Sequence, residues 1–257
     1  MAFLKFSNGL LKFGNGVLGF KEAQPDPYNP LNLPSNTIRF KYKAGENPTS
    51  DLAGKGTLTL IDETENIWDL NFSTCEELFK YKSNLIEVLG ANTTGITSMK
   101  KMFEKCGGLT NVALFDTSSV TNVIGMFDYC SNLVSVPEFD TKNVTHFGDT
   151  SNNYGMFSQC SKLTSLPSID LSSAITIECI CYSCSNLTAI PEFKNISSTI
   201  TKVDYAFNYT PKVASGVLEL YNVLSTLSPV PSHNDTFYQC GQTVNPTVYN
   251  QIPSSWK

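Results

Sequence analysis

One short phrase returns along this chain at a nearly constant interval, and this periodicity restricts the possible folds more than any other feature. In its full form a phenylalanine precedes a cysteine by three residues, and degraded copies keep only one of the two. The positions that carry the phrase are Phe79, Phe103, Cys106, Phe127, Cys130, Phe157, Cys160, Cys184, Phe207, Phe237 and Cys240. The step from 106 to 130 and from 160 to 184 is 24 residues. Such a step predicts an array of repeats, each of which buries its apolar face only against its neighbours.

The residues between copies of the phrase predict what one repeat contains. A leucine such as Leu109 follows the cysteine position by three residues and opens the pattern L-x-x-[VLI]-x-x-[FI]-D, which predicts one short strand per unit. The spacing of Val120, Val123 and Met126 then predicts one or two helical turns. An aspartate ends the strand, and it either holds a turn or contributes to a row of carboxylates that binds calcium. The row consists of Asp116, Asp140 and Asp170.

Together these residues resemble a known class of repeat. The phrase [MA]-F-x-x-C-x-x-L-T-x-[VLI]-P, with F-D-T-S-x-V-T-N between copies, is similar to the BspA-like leucine-rich repeats of bacteria and covers roughly residues 78–240. The resemblance implies an α/β leucine-rich-repeat solenoid of about six 24-residue coils with short parallel strands. The flanking strings at residues 36–40 and 252–257 resemble proteins of gut Bacteroidetes and their phages.

Changes of composition along the chain predict five segments. Four prolines between residues 25 and 34 predict an extended linker. The alternation of Ile38, Phe40 and Tyr42 predicts the first of three strands in a small β-rich cap, and apolar residues at helical spacing predict a helix over 216–227. The predicted segments are an N-terminal anchor at 1–20, a linker at 21–35, an N-terminal cap at 36–77, leucine-rich repeats at 78–210, and a divergent last repeat with a C-terminal cap at 211–257.

Residues 1–20 contain a repeat of their own, with Asn-Gly in each seven-residue copy, which predicts tight turns between very short strands. Their apolar side chains favour an extended anchor that docks on a partner or on copies of the chain, and a flexible leader is the alternative. The predicted anchor residues are Leu4, Phe6, Leu10, Leu11, Phe13, Val17, Leu18 and Phe20. The Asn-Gly pairs interrupt every apolar run, so we expect neither a signal peptide nor a membrane span.

The charge of the chain argues against nucleic acid as a partner. The formal net charge is −5 and the pI is about 5.1, which leaves no basic stripe to displace counterions from phosphates. Charged residues make up only 16 % of the chain, and Asn, Ser and Thr fill the surface instead. Such a surface is common in repeat proteins displayed outside cells or on virions.

Eight cysteines raise the question of disulfides. Five of them stand at the same repeat position, and stacked units bring equivalent residues about 5 Å apart, within the Cα range of a bridge. Synthesis in a reducing cytoplasm and the strong tendency of cysteine to be buried favour a ladder of buried thiols. Disulfides remain the alternative.

The sequence contains no constellation that predicts catalysis, a cofactor or a metal. His146 and His233 lie in polar segments, with no serine or cysteine at a motif spacing. The string Cys179-x-Cys181-x-x-Cys184 resembles metal-ligand spacing, but a structural zinc site needs four ligands and two of these cysteines hold repeat positions. We therefore expect a protein that is not an enzyme.

These observations predict a non-enzymatic structural and recognition protein of a bacteriophage virion, of the head or tail fibre or decoration type. Its N-terminal segment docks on virion proteins, and its repeat face is presented outward to a host-surface protein or glycan. Assembly of the chain into a homo-oligomer is left open. The alternative is a bacterial cell-surface adhesin of the BspA-like class.

Overall fold

The computed structural model of the chain describes residues 10–13, 16–19, 29 and 31–257. Its strands are β1 (Leu10–Phe13), β2 (Gly16–Gly19), β3 (Thr37–Tyr42), β4 (Gly56–Asp62), β5 (Ile67–Phe72), β6 (Leu85–Asn92), β7 (Asn111–Val112), β8 (Gly148–Asp149), β9 (Tyr154–Gly155), β10 (Ile169–Asp170) and β11 (Phe193–Lys194). Its helices are α1 (Pro48–Asp51), α2 (Val217–Leu224), α3 (Pro246–Gln251) and a 3-10 turn at Ser254–Trp256. Within the described part of the chain, every helix is too short or too polar to cross a membrane.

Five of the strands form one sheet in the order β4-β5-β3-β6-β7. Neighbouring strands are antiparallel except for β6 and β7, which are parallel. The central strand is β3, and its alternating side chains Ile38, Phe40 and Tyr42 are fully buried. The three strands predicted before residue 77 are therefore present, and the sheet continues into the first repeats through β6 and β7.

Successive repeats lie side by side in the same orientation. Single parallel bridges join equivalent residues of neighbouring units, as between Ser98 and Asn122. The backbone N–H of each phrase phenylalanine donates to a carbonyl of the next unit, as from Phe103 to Met126 at 2.9 Å. The aromatic rings follow the backbone and stack in a file with centroids 5.3 to 5.7 Å apart. The stacked rings are those of Phe79, Phe103, Phe127 and Phe157.

The predicted α/β leucine-rich-repeat solenoid is nevertheless wrong, because the chain is a β-rich fold with few helices. Residues 78–210 contain turns and short strands in place of the predicted helical turns. Residues five and one position before the cysteine adopt left-handed backbone, as at Lys101 (φ 57°), Lys105 (φ 60°) and Tyr129 (φ 58°). A left-handed residue does not continue a right-handed helix, so the N–H groups bond to the next repeat instead.

The predicted strand of each unit is also reduced. The strand of the first repeat is β6, of eight residues, but those of later repeats are β7, β10 and β11, of two residues each, and β10 pairs with β11 in parallel. Pro137, Pro167 and Pro191 stand in this segment of their units and lack the N–H that a strand ladder needs. The short parallel strands predicted for all six coils are therefore limited, among the described residues, to the two pairs β6–β7 and β10–β11.

β1 and β2 form an antiparallel hairpin in which Leu11 pairs with Leu18. The very short strands that the Asn-Gly pattern of residues 1–20 predicts are therefore present at these two positions. Most of the predicted linker lies outside the described residues. The anchor residues that also lie outside them are Leu4, Phe6 and Phe20. The anchoring role of this segment stays a prediction.

The C-terminal residues close the last repeat. α2 occupies most of the helix predicted at 216–227. The N–H of Phe237 donates to the carbonyl of Trp256 at 2.9 Å, in the way that other phrase phenylalanines donate to the following repeat. The indole of Trp256 is buried and stacks on Phe237 with centroids 6.1 Å apart. The tail thus covers the apolar end of the array, as a terminal unit must.

Candidate functional site

A row of tyrosines runs along the repeats, and we call it the tyrosine face. All of its members lie within the six residues that precede the cysteine position of their unit. They are Tyr81, Tyr129, Tyr154, Tyr182, Tyr205, Tyr209 and Tyr238. Several stand at the left-handed positions, where the turn directs the side chain away from the core. Tyr81, Tyr129 and Tyr209 expose 57, 42 and 42 % of their surface.

In the N-terminal half of the tyrosine face, lysines of the chain itself lie over the rings. The ammonium of Lys101 is 3.6 Å from the ring centroid of Tyr154. That of Lys105 lies between two rings, 4.8 Å from Tyr81 and 5.4 Å from Tyr129. These distances fall within the range of cation–π attraction. This half of the face therefore carries its own cations.

The buried carboxylate of Glu104 lies behind these lysines. Its oxygens are 3.3 Å from the ammonium of Lys80 and 3.9 Å from those of Lys101 and Lys105. The carboxylate makes no direct hydrogen bond, and its side chain has no exposed surface. The surrounding ammonium groups compensate the buried charge, as a buried charge requires.

Asp128 occupies the same position in the next repeat, where the compensation is weaker. Its carboxylate is buried and has no hydrogen-bond partner of good geometry. Burial raises the pKa of Asp128 to about 7, and the negative charge of Glu104 adds to the rise. The hydroxyl of Ser158 and the two lysines oppose it. The carboxyl group of Asp128 therefore titrates near neutral pH.

The C-terminal half of the tyrosine face contains an open groove of about 460 Å³, which we call the tyrosine groove. Its lining residues are Thr150, Asn153, Tyr182, Asp204, Tyr205, Asn208, Tyr209, Asn234, Asp235 and Tyr238. Tyr209 packs edge to face against Tyr182 at 6.3 Å and against Tyr238 at 5.3 Å. The lining contains two carboxylates and four tyrosines but no lysine or arginine.

The two carboxylates of the groove differ in their surroundings. Asp204 is buried and accepts hydrogen bonds from the hydroxyl of Ser232 at 2.7 Å and from the side-chain amide of Asn234 at 2.6 Å. Asp235 is half-buried and stands at a left-handed position, with φ 47°. Among the described residues, no lysine or arginine forms an ion pair with either carboxylate. The nearby Lys202 instead lies 3.9 Å from Glu178.

Asn208 supplies a second buried polar group to the groove. The residue is 98 % buried, since its relative exposure is 2 %. Its side-chain nitrogen donates to the carbonyl of Asp235 at 3.2 Å, but its side-chain oxygen has no hydrogen-bond partner among the residues that the structure describes. A buried acceptor without a donor is rare in folded proteins and is a place where a ligand can contribute one.

The predicted repeat-core cysteines form a ladder of thiols. The Sγ of Cys106 donates to the carbonyl of Phe79 at 2.9 Å, and that of Cys184 donates to the carbonyl of Phe157 at the same distance. All eight cysteines of the chain are buried and unpaired. Burial raises the pKa of the Cys75 thiol to about 12. These thiols hold neighbouring repeats together, and burial disfavours the thiolate form that chemistry would need.

The aspartate row holds turns, as one of the two predictions states. A carboxylate oxygen of Asp116 accepts from the N–H of Ser118 at 2.9 Å, and Asp170 accepts from Ser172 at 2.8 Å. Asp140 makes the same bond within its own unit. The described residues contain no group of three or more His, Cys, Asp or Glu side chains arranged to hold a metal ion.

The two histidines lie apart. His146 contacts the hydroxyl of Thr145 at 2.7 Å. The ring of His233 stacks on Trp256 at 4.1 Å and its Nδ1 lies 2.7 Å from the carbonyl of Pro231. Both rings therefore contact residues close to them in the fold.

Sequence reasoning missed the tyrosine groove. Its residues come from several repeats and from different positions before the cysteine, so no linear spacing marks them. The signal that could have found them is an alignment of each unit on its cysteine position, which brings Tyr182, Tyr209 and Tyr238 within one position of each other.

Comparison with known proteins gives one family. The family described as "Mycoplasma protein of unknown function, DUF285" matches residues 71–194 and again residues 97–221. The two matches overlap and together span more than half of the chain, as a family built of repeats permits. This is compatible with a BspA-like repeat protein and gives no indication of an origin in Bacteroidetes or their phages. No curated protein and no solved structure matches the chain. On the extent of the family match, the chain belongs to the DUF285 family.

Proposed function

We propose that the chain is a non-enzymatic recognition protein that binds a host-surface partner through the tyrosine groove. The observation that carries the proposal is the groove itself, in which four tyrosines and two carboxylates line an open cavity with no lysine or arginine among its lining residues. Tyrosine combines a large apolar area with a polar end and loses little conformational entropy on binding, so it is frequent in binding surfaces. The buried thiols of high pKa support a role without covalent chemistry.

The proposal places the protein on a bacteriophage virion, with residues 1–20 docked on the particle and the repeats facing outward. The support is the apolar hairpin sequence and the resemblance of the flanking strings. A surface adhesin of the BspA-like class is the second candidate, and the family match is compatible with a repeat of that class. The two candidates share the groove and differ in where the chain is located.

Binding to host cells tests recognition. A double variant, Tyr209→Ser with Tyr238→Ser, is expected to reduce the amount of purified protein bound to intact host cells by about tenfold, because it removes two adjacent aromatic anchors. A labelled-protein binding assay by flow cytometry measures the effect. The matched control is Tyr81→Ser, which removes an exposed tyrosine from the other half of the face and is expected to leave binding unchanged. Equal binding by the double variant and the wild type contradicts the proposal.

Mass spectrometry of purified particles tests the location. We expect the full chain to be present in virions and a variant lacking residues 1–20 to be lost from them, because the predicted anchor is removed. Circular dichroism of the truncated protein checks that the repeats are still folded. Absence of the full chain from particles, together with its recovery from the outer surface of bacterial cells, identifies the adhesin instead.

A further inference from the structure

We infer that the tyrosine groove takes an ammonium or guanidinium group of a protein ligand, an inference that rests on the proposed recognition role. The ligand side chain is that of a lysine or arginine. It comes from a partner protein, because a second copy of this chain carries a net charge of −5 and is repelled by an acidic groove.

Elsewhere on the tyrosine face, lysines of the chain already pack between tyrosine rings and a carboxylate. In the second repeat, Lys101 and Lys105 stand five positions and one position before the cysteine, and a carboxylate, Glu104, lies 3.9 Å from both ammonium groups. Each ammonium also lies over tyrosine rings of neighbouring units. A cation between tyrosine rings and a buried carboxylate is therefore an arrangement that this face already forms.

The tyrosine groove contains the same kinds of group, tyrosine rings and carboxylates, without a lysine or arginine in its lining. In the sixth repeat, Tyr205 and Tyr209 hold the positions that Lys101 and Lys105 hold in the second. Rings thus replace the lysines, and Asn208 holds the position of Glu104, so the two carboxylates of the groove come from other positions of the repeats. The groove therefore has the tyrosine rings and the carboxylates that bind an ammonium group, and its ligand supplies the ammonium group.

The lining of the groove is negatively charged. The lining carries two carboxylates and no basic side chain. The donors on the buried carboxylate of Asp204 come from Ser232 and Asn234, which are neutral. Negative charge in a partly enclosed site attracts a cation more strongly than the same charge at an open surface.

The lining of the groove also has hydrogen-bond acceptors for a ligand. Asn208 lines the groove together with the carboxylates, and its buried side-chain oxygen is an acceptor that has no donor among the described residues. An ammonium group carries three donors and no acceptor, so it can satisfy this set without introducing acceptors of its own. A neutral sugar brings as many acceptors as donors and leaves the carboxylate charge uncompensated. The groove therefore favours a cation over a neutral glycan.

A peptide-binding experiment tests the inference on the full chain. The probes are a hexalysine peptide, the same peptide acetylated on every side chain, and a panel of neutral oligosaccharides, with binding followed by calorimetry. We expect the hexalysine peptide to bind, and acetylation to weaken its Kd by about tenfold or more because the charge is lost. Equal affinity for both peptides, or binding of a neutral oligosaccharide where hexalysine does not bind, overturns the inference.

Two variants separate the groove from the general acidity of the chain. Asp235→Asn removes one groove carboxylate and places asparagine, which tolerates left-handed backbone, at φ 47°. Glu63→Gln removes one exposed carboxylate far along the chain and is the matched control. Asp235→Asn is expected to weaken hexalysine binding about tenfold, and Glu63→Gln to leave it unchanged. Equal weakening by both variants overturns the inference, because the binding is then unspecific.

Sedimentation of the chain alone decides the source of the ammonium group. A monomer that binds hexalysine supports a partner protein, and self-association that Asp235→Asn abolishes overturns it in favour of a second copy. The proposed function fails separately from the inference. If the chain does not bind hexalysine but its binding to host cells still depends on Tyr209 and Tyr238, only the cationic ligand is refuted. If its binding to host cells does not depend on these two tyrosines, the recognition role is refuted.

Discussion

Replacing Phe127 with alanine is expected to lower the free energy of unfolding by about 3–5 kcal/mol. The ring is fully buried between those of Phe103 and Phe157, at 5.3 and 5.7 Å, and lies within 8° and 2° of parallel to them. Its loss leaves a cavity in the middle of the file. The neighbouring rings cannot close this cavity, because the backbone hydrogen bonds between repeats fix their spacing. Chemical denaturation followed by circular dichroism measures the change.

Two further variants keep this prediction testable if the alanine variant does not fold. Phe127→Leu retains part of the buried volume, so we expect a smaller loss than for alanine. Tyr129→Asn, two residues later, removes an exposed aromatic side chain and suits the left-handed backbone, so we expect a change below about 1 kcal/mol. A loss for Tyr129→Asn as large as that for Phe127→Ala would show that the stacked rings are not what stabilises the repeats.

The repeat interval and the buried positions could be predicted from the sequence, because both depend on residue type alone. Phenylalanine and cysteine at a constant step have few uses other than packing against their own copies. The strands β3, β4 and β5 could be predicted for the same reason, since alternating apolar residues mark a half-buried strand. The helix at 216–227 follows from helical spacing of its apolar residues.

The local conformation of the repeats could not be predicted, because the residues that determine it are not the usual ones. Left-handed backbone is normally marked by glycine or asparagine. Here Lys105, Tyr129 and Gln159 adopt it one position before the cysteine. Contacts with the adjacent repeat offset the local strain, and these contacts exist only once the array has formed. The spacing of Val120, Val123 and Met126 therefore predicts helical turns where the chain makes successive tight turns.

The tyrosine groove was hidden for a different reason. Its two carboxylates and four tyrosines come from units joined by steps longer than 24 residues, so their alignment depends on where the extra residues leave the array. The charge pattern along the face has the same origin. Lysines in the early repeats and aspartates in the late ones look like ordinary surface residues until the repeats are placed side by side.

Asp128 is expected to make the stability of the protein depend on pH in a direction opposite to that of most carboxylates. Its folded pKa of about 7 lies above its ordinary value of 3.8, so the folded state keeps a proton that the unfolded chain has lost between these values. Below about pH 4 the group is neutral in both states and has no effect. Stability then falls as the pH rises toward 7 and is constant above it. From pH 5 to pH 8 this group lowers the free energy of unfolding by about 2–3 kcal/mol.

The variant Asp128→Asn removes this dependence, because the amide does not titrate. Denaturant unfolding measures the free energy of unfolding at pH 5 and at pH 8. The change in this free energy between the two pH values, here called the pH difference, is compared between the wild type and the variant. Glu63→Gln removes an exposed carboxylate and is expected to keep the pH difference of the wild type. Identical pH differences in the wild type and Asp128→Asn would show that Asp128 is charged in the folded state throughout this range. In that case Lys101 and Lys105 would compensate two carboxylates at once, which would make the N-terminal half of the tyrosine face a closed ionic network.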